Sequence, residues 1–438
     1  MQKANWKALL PIGVFLVIYL GLGFLFEYGL EIPMGFYNIP IVVSFLAALL
    51  VACLQNPKVS FEDKLAIMSK GVGDKNIITM ILIFMTAGIF VGVAGRSSAE
   101  NVAYFLLSLI PAQYAVLVIF MVSCFVSLSM GTSTGTITLI TPIALAVSQA
   151  SGFNAALCIG AVISGAMFGD NLSFISDTTI AACNGQGCPM KDKFRTNLSL
   201  ALPAAFFTLV ILGLKTVQTP MPHTVSMDYN LIQIIPYILV LLGGIMGINV
   251  FIVLLLGIVS GSLIMLVTGI LPATKLLSHM GSGAAGMYET AMVAILVSAL
   301  CALMQEYGGF AALLSFIRKI CKSPKGAQLG IGLLAGAMDI ATANNTVAIV
   351  VANPIAREIA SEYHISPRTT ASILDTFSCI FQGIIPYGAQ MLVALSAAQE
   401  LGYELSAFDI MPRLYYPYLL LASCLFSLFL RPGKRTCS

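Results

Sequence analysis

Apolar runs, most of them about 18–22 residues long, recur along the chain near 9–26, 38–55, 76–95, 155–181 and 196–214, and again near 231–247, 249–269, 284–305, 366–398 and 411–430. A helix of that length crosses about 30 Å of hydrocarbon. Between the third and fourth runs of each half lies a short segment (99–110; 310–320), followed by a long apolar stretch interrupted by a polar knot. The knots read Met130-Gly-Thr-Ser-Thr-Gly-Thr136 and Asp339-Ile-Ala-Thr-Ala-Asn-Asn-Thr346. The pattern predicts helical hairpins over about 113–150 and 327–361, each with its knot at the tip. It also predicts broken helices over about 153–181 and 366–398, where Gly, Ser, Asn and Pro interrupt the runs.

The two halves repeat. Thr134, Ile137 and Pro142-Ile143-Ala144 recur as Thr346, Ile349 and Pro354-Ile355-Ala356, an offset of 212. Gly71 and Gly73 match Gly281 and Gly283, Pro111 matches Pro324, and Pro203 matches Pro417, all within a few residues of that offset. The expected units are residues 1–214 and 230–438, joined by an extracytoplasmic linker at 215–229. Cytoplasmic loops collect Lys and Arg. If the short segments lie along the interface and each hairpin enters and leaves on one side, every copy has five crossings and the copies are inverted. Eighteen of the 22 basic residues, Lys64, Lys70, Lys191, Lys193 and Arg195 among them, then face the cytoplasm. Arg96, Lys215, Lys275 and Arg413 face outward. The expected fold is an all-α polytopic membrane protein: two inverted repeats of five transmembrane helices, each with a re-entrant hairpin and a broken helix, and both termini cytoplasmic.

Composition agrees with the periodicity. Of 438 residues, 58% are apolar and 9% charged, against about 25% charged in soluble domains. Soluble enzyme, disordered scaffold and nucleic-acid binder are excluded. The ten cysteines form no CxxC pair, which leaves them as small apolar packers. Lys3 and Lys7 precede an apolar run too long for a signal peptide and without a cleavage site, so it reads as the first span. Inverted repeats with broken helices are the architecture of secondary transporters, with the substrate at the midplane where the copies meet. No P-loop is present to couple ATP, and no nucleophile–His or metal-helix arrangement points to an enzyme.

Polar backbone at membrane depth is tolerated only where it lines a cavity or is buried in protein. Thr132, Ser133, Thr134 and Thr136 give four hydroxyls at the first tip, and the second supplies Thr342, Asn344, Asn345 and Thr346. Hydroxyl, amide and freed carbonyl oxygens suit Na⁺, whereas the plain alternative is interhelical hydrogen bonding. Five carboxylates fall within membrane segments: Asp170, Asp177, Glu289, Asp339 and Asp375. Such residues are functional candidates by default. Asp170 and Asp177 flank a stretch containing Asn171, Ser173 and Ser176, with Thr178 just beyond it, which offers a broken helix with oxygens for an ion. A Na⁺ site is expected at Asp170, Asn171 and Asp177 with Ser133 and Thr134. The residue 212 positions after Asp170 is Gln382, so the charged cation site is expected in the first copy alone. Asp375 is a candidate beside the second tip, Glu289 a candidate proton relay, and Asp339 a cap or a ligand. His223, His279 and His364 fall in loops, and the span centres hold no Lys or Arg.

Gly165-Ala-Met-Phe-Gly-Asp-Asn-Leu-Ser-Phe-Ile-Ser-Asp-Thr-Thr-Ile180, with Ser129–Thr136 ahead of it and Met190-Lys-Asp-Lys-Phe-Arg195 behind, resembles the NhaC-type sodium/proton antiporters of the ion transporter superfamily. The resemblance implies a homodimer in which a moving part carrying both hairpins works against a scaffold. It also implies tips that bind Na⁺ and, in some members, a substrate carboxylate. The superfamily's Ser-Asn-Thr tip motif is replaced here by Thr132-Ser133-Thr134 and Asn344-Asn345-Thr346. The expected activity is Na⁺/H⁺ antiport by alternating access in the inner membrane of a bacterium, with Na⁺ and H⁺ as the transported or coupling ions and no other cofactor. The alternative is a Na⁺-coupled carrier of a small carboxylate, malate- or lactate-like, or of an amino acid. A channel is a weaker reading, since no ring of pore-lining charges appears.

Overall fold

The computed structural model describes residues 4–30, 32, 38–174, 176–217, 228–246, 248–320 and 323–430, and all the regular structure among them is helical. Lys3, Lys322, Arg431, Lys434 and Arg435 of the expected cytoplasmic set, and most of the linker, lie outside the described residues. So do the side chains of Arg96, Arg318 and Lys319.

The first half opens with α1 (Leu10–Leu16) and α2 (Leu22–Phe24), linked by a π-helical turn into one rod. It continues through α3 (Ile41–Leu54), α4 (Phe61–Val72), α5 (Lys75–Leu109), α6 (Ala115–Met130) and α7 (Ser133–Ser151) to α8 (Ala155–Leu172), α9 (Asp177–Gln186) and α10 (Met190–Val217). The second half holds α11 (Leu231–Ile245), α12 (Val250–Val267), α13 (Ala273–Gly286), α14 (Tyr288–Glu306) and α15 (Gly309–Ile320). After these come α16 (Pro324–Thr342), α17 (Asn345–Glu362), α18 (Pro367–Ile384), α19 (Ala389–Glu400), α20 (Ala407–Ile410) and α21 (Tyr415–Leu430).

Among the described residues eight helical stretches are long and apolar enough to cross a membrane. Seven overlap expected crossings, and the eighth, Ala112–Met130, contains the first arm of an expected hairpin. The remaining expected crossings, near 38–55, 231–247 and 411–430, contain the shorter apolar helices Ile41–Leu54, Leu231–Gly243 and Tyr415–Leu428. The outer faces carry exposed Leu50, Phe206, Leu239 and Val259, while Asp, Asn, Gln and Ser side chains are buried inside. That distribution, the reverse of a soluble protein's, suits a lipid surround. The protein is a multi-pass membrane protein.

One expectation changes. The short segment at 99–110 is not a separate interfacial helix, because α5 runs through it unbroken from the third span. No proline interrupts the sequence there, and 35 residues make a helix of about 52 Å. Its counterpart does break: α14 ends at Glu306 and α15 begins at Gly309, with Gly308 in the left-handed region (φ 82°).

The interruptions have local causes. At the first knot Gly131 adopts φ 68°, and extended Thr132 accepts the Gly135 N–H through Oγ1 at 3.3 Å, capping α7. At the second, Ala343 takes φ 48° and Asn344 Oδ1 accepts the Val347 N–H at 3.0 Å, capping α17. Helix ends recur with the spacing of the sequence repeat. Met130 and Thr342 end α6 and α16, Ser133 and Asn345 begin α7 and α17, and Leu172 and Ile384 end α8 and α18; each pair is 212 residues apart. Packing between halves is reciprocal too: α4 lies on α14, α13 on α5, α9 on α17 and α19 on α7.

Small residues let these helices approach closely, as expected where lipid supplies no hydrophobic drive between them. A Cβ on Gly169 of α8 would stand 2.4 Å from Ser127 Cβ of α6. Ser127 Oγ donates across that seam to Ala166 O at 2.6 Å. The seam holds the first hairpin against the first broken helix, which positions the site.

Candidate functional site

Asp170 lies in the last turn of α8, 3% exposed. Its Oδ2 accepts the Ser133 hydroxyl at 2.7 Å, from the first residue of α7, and the Asn345 amide at 3.4 Å, from the first residue of α17. Its Oδ1 accepts from Ser176, in the break between α8 and α9, and from Thr178 Oγ1 at 3.5 Å. Both hairpin tips and the first broken helix therefore converge on one carboxylate. The hydroxyl oxygens of Ser133, Ser176 and Thr178 around a carboxylate form a hard donor set that fits an alkali ion better than a transition metal. Among the described residues, no cluster of three or more His, Cys, Asp and Glu suited to a metal is present.

The second broken helix closes the far side. Gln390 of α19 donates to Ser133 Oγ at 3.0 Å, and Gln382 of α18 donates to Gln390 Oε1 at 2.7 Å and to Ala343 O at 3.0 Å. The neutral counterpart of Asp170 thus ties the second tip to the first.

A second polar layer lies behind Asp170. Lys193 Nζ pairs with Asp375 Oδ2 at 2.6 Å, the two side chains 1% and 0% exposed. The ammonium also donates to Asn171 O and Thr179 Oγ1, each at 2.7 Å. Asn197, one turn along α10, donates to Asp375 Oδ2 at 3.0 Å and to Asn171 Oδ1 at 2.5 Å. A buried charge needs a partner and further hydrogen bonds, and this pair has both.

The predicted site residues divide. Ser133, Asp170, Thr178 and Asn345 come together directly, with Asn171 in the layer behind. Thr132 and Asn344 cap their helices. Ser173 Oγ donates to Leu128 O at 2.8 Å, fastening the break of α8 to α6. Thr134 offers its carbonyl to Thr138, and the Thr346 N–H donates to Asn345 Oδ1 at 3.0 Å. Asp177 is exposed at the start of α9 and makes no contact with Asp170 among the described residues. Asp375 faces Lys193 rather than the second tip. Glu289 is exposed, remote from the cluster, and faces the backbone N–H of Ile41 at the start of α3.

Two basic residues assigned to the cytoplasmic surface are buried. Lys193 lies inside the bundle, and Lys64, 5% exposed, donates to Cys53 O at 2.7 Å at the end of α3. Lys193, expected at the cytoplasmic surface, is buried because α10 begins upstream of its apolar run and carries it into the bundle. Asn197, Lys193 and Gln390 are not among the sequence-predicted site residues. The readable signal was the 193/197 pair, two polar residues one turn apart on a mostly apolar helix.

Helices with an apolar exterior, broken around buried oxygens and a paired charge, define a membrane carrier. A sequence profile of the Na⁺/H⁺ antiporter family matches residues 11–217 and 219–428, and the chain belongs to that family. The family is one of secondary transporters and not of enzymes. The chain is 26% identical over 213 residues to the malate-2H⁺/Na⁺-lactate antiporter of Bacillus subtilis, covering 48% of this chain and 44% of that protein. It is 30% identical over 147 residues to the Na⁺/H⁺ antiporter NhaC of the same organism, covering 33% and 32%. A Haemophilus influenzae protein described as an uncharacterized Na⁺/H⁺ antiporter is 28% identical over 304 residues, 66% of this chain and 61% of its own. The chain thus spans less than two thirds of each of these relatives. Among solved structures, the YdaH transporter of Alcanivorax borkumensis aligns over 97% of this chain and 98% of its own, at a TM-score of 0.44 and 13% identity.

Proposed function

We propose that the chain exchanges Na⁺ for H⁺ by alternating access, with Asp170 as the exchanging group. The observation that carries this reading is the convergence of Ser133 and Asn345, one from each hairpin tip, on a single buried carboxylate. Na⁺ and a proton would compete for Asp170: binding of Na⁺ displaces the proton, and protonation from the other side releases Na⁺. The hydroxyls of Ser133, Ser176 and Thr178 suit both states, because a hydroxyl can donate to the carboxylate or turn a lone pair to the ion.

The equal 212-residue spacing of helix ends and the reciprocal packing between halves support two copies of one unit, inverted in the membrane. Loop charge puts both termini in the cytoplasm, in the inner membrane of a bacterium. The moving part would hold the hairpins and broken helices, and the homodimer interface would belong to the scaffold around α3, α5, α12 and α14.

Asp177 and Glu289, exposed and away from Asp170, take no part in this reading. A second reading, Na⁺-coupled carriage of a small carboxylate, is favoured by a cavity of about 490 Å³ that reaches Thr342 and Asn344 and is lined by Lys70. The name of the Bacillus subtilis malate–lactate relative points the same way.

The test is reconstitution in liposomes containing a pH dye, with an imposed Na⁺ gradient and no organic solute. We expect a lumenal pH change that Asp170→Asn abolishes while the protein stays folded. Exchange surviving that substitution would remove Asp170 from the mechanism. Silence from folded wild type would favour the solute carrier, to be screened with malate, lactate and amino acids.

A further inference from the structure

The turn after α9 holds two cysteines that the exchange reading does not use. The helix ends in Asn184-Gly185-Gln186, and Gly187 takes the left-handed region (φ 66°). The Cys188 N–H donates to Cys183 O at 3.0 Å, and the Gly187 N–H donates to Asn184 O at 3.3 Å. This is a Schellman turn, in which the two residues joined by the first bond pack their side chains together. Here both are cysteine. Cys183 is 1% exposed, Cys188 is half-buried, and the Cys183 thiol donates to the Cys188 sulfur. That bond holds the Cys188 thiol below its usual range; the Lys193 ammonium favours the thiolate and Asp192 opposes it. The more accessible sulfur is thus also the readier nucleophile. A spacer of four residues hides the pair from a search for CxxC, and the expectation that all the cysteines are plain packers changes here.

The turn is fastened to the candidate site from both sides. Gln186 donates to Asn353 O at 3.1 Å and to Asn353 Oδ1 at 2.9 Å, and Asn353 returns a bond to Ala181 O at 2.9 Å, so the end of α9 is tied to α17. Only Gly187, Cys188 and Pro189 separate α9 from α10, whose Lys193 reaches back to Thr179 and to Asp375. We infer that Cys183 and Cys188 are a redox-modification site, closed to a disulfide by a small organic disulfide, and that closure tightens the α9–α10 turn and slows transport. The Cys188 thiolate attacks one sulfur of the oxidant, releasing one small thiolate and leaving a mixed disulfide. Cys183 then loses its proton and attacks Cys188 Sγ, releasing the second. Two chain thiols are oxidised, one external disulfide is reduced, and the two protons pass to the two leaving thiolates. Closure draws the sulfurs to about 2.05 Å, which shifts the turn that Gln186 and Lys193 anchor. In the proposed orientation this turn faces the cytoplasm, where such disulfides are transient and sensing rather than structural.

The test equilibrates the purified full chain with glutathione disulfide, blocks free thiols with N-ethylmaleimide under denaturing conditions, and weighs the peptide spanning 183–188. We expect it to be two hydrogens lighter and free of maleimide, and to carry two maleimides after dithiothreitol. Two maleimides after the oxidant, or glutathione retained on Cys188, would overturn the site. In liposomes, Na⁺-driven proton flux of the closed protein should fall several-fold and recover with reductant, while Cys188→Ser keeps its flux throughout. If Cys188→Ser does not fold, Cys183→Ala takes its place. Closed protein with unchanged flux, or a loss that persists in the cysteine variant, would overturn the coupling to transport. Reduced wild type without flux would instead defeat the exchange reading, and the peptide masses alone would then decide the site.

Discussion

At the scale of single residues, the contrast between Asp170 and Asp375 separates the proposed exchanging group from a structural ion pair. Among the described residues Asp170 has hydroxyl and amide partners only, so an arriving cation meets no rival within hydrogen-bond reach there. Asp375 already holds an ammonium at 2.6 Å. Removing one member of a buried pair leaves the other charge uncompensated and costs about 3–5 kcal/mol. Lys193→Met is therefore expected to lower unfolding stability in detergent by that amount. Lys193→Met combined with Asp375→Leu should recover most of the loss, because both charges then leave together. If Lys193→Met unfolds like wild type, Lys193 is not the counter-ion of Asp375. Reading single residues was also where sequence was weakest. Lys193 stands in Lys191-x-Lys193-x-Arg195, a cluster that looks solvated, and only the depth at which α10 begins buries the middle charge.

At the scale of elements, much of the site was legible, because helix interruptions are written in residue types. The tips follow from Gly131 with Thr132 and from Ala343 with Asn344, where a left-handed residue precedes a capping side chain. What sequence could not supply was the approach of one element to another. Asp170 and Asp177 share a face only if the helix continues, and the break at Ser173–Ser176 turns Asp177 outward. The length of α5 was missed for the opposite reason, since polar residues between apolar runs need not end a helix. The α6–α8 seam offers a test at this scale. Gly169→Ala would place Cβ 2.4 Å from Ser127 Cβ and 2.5 Å from Leu128 N. Overpacking of this kind costs about 1–3 kcal/mol, and here it would push the first hairpin, with Ser133, away from Asp170. We expect Gly169→Ala to lower both stability and Na⁺-driven proton flux. Gly281→Ala, with nothing within 4 Å of its new Cβ, should leave flux unchanged. Equal behaviour of the two variants would show that the seam does not position the site.

At the scale of the whole molecule, the two tips differ in how they are covered. Thr342 and Asn344 line the cavity of about 490 Å³ between α4, α5 and α14. The first tip is packed against α12, where a Cβ on Gly135 would come within 2.9 Å of Val250 Cγ2. Alternating access needs such a difference, since a carrier open at both tips at once would leak. The cavity also carries Lys70, Asp74 and Glu306, and the proposed orientation has that end in the cytoplasm. In a cysteine-free background, Ser298→Cys, which lines the cavity, should react with a membrane-impermeant maleimide from the cytoplasmic face and not from the other. Val250→Cys, buried over the first tip, should react at least about tenfold more slowly while the protein rests in this conformation. Its reactivity from the outer face should then rise when a Na⁺ gradient drives turnover, as the equilibrium between conformations shifts. Reaction of Ser298→Cys from the outer face alone would reverse the orientation while leaving alternating access intact. Equal reaction of both positions from both faces, before and after the gradient, would mean that the two tips are not alternately exposed.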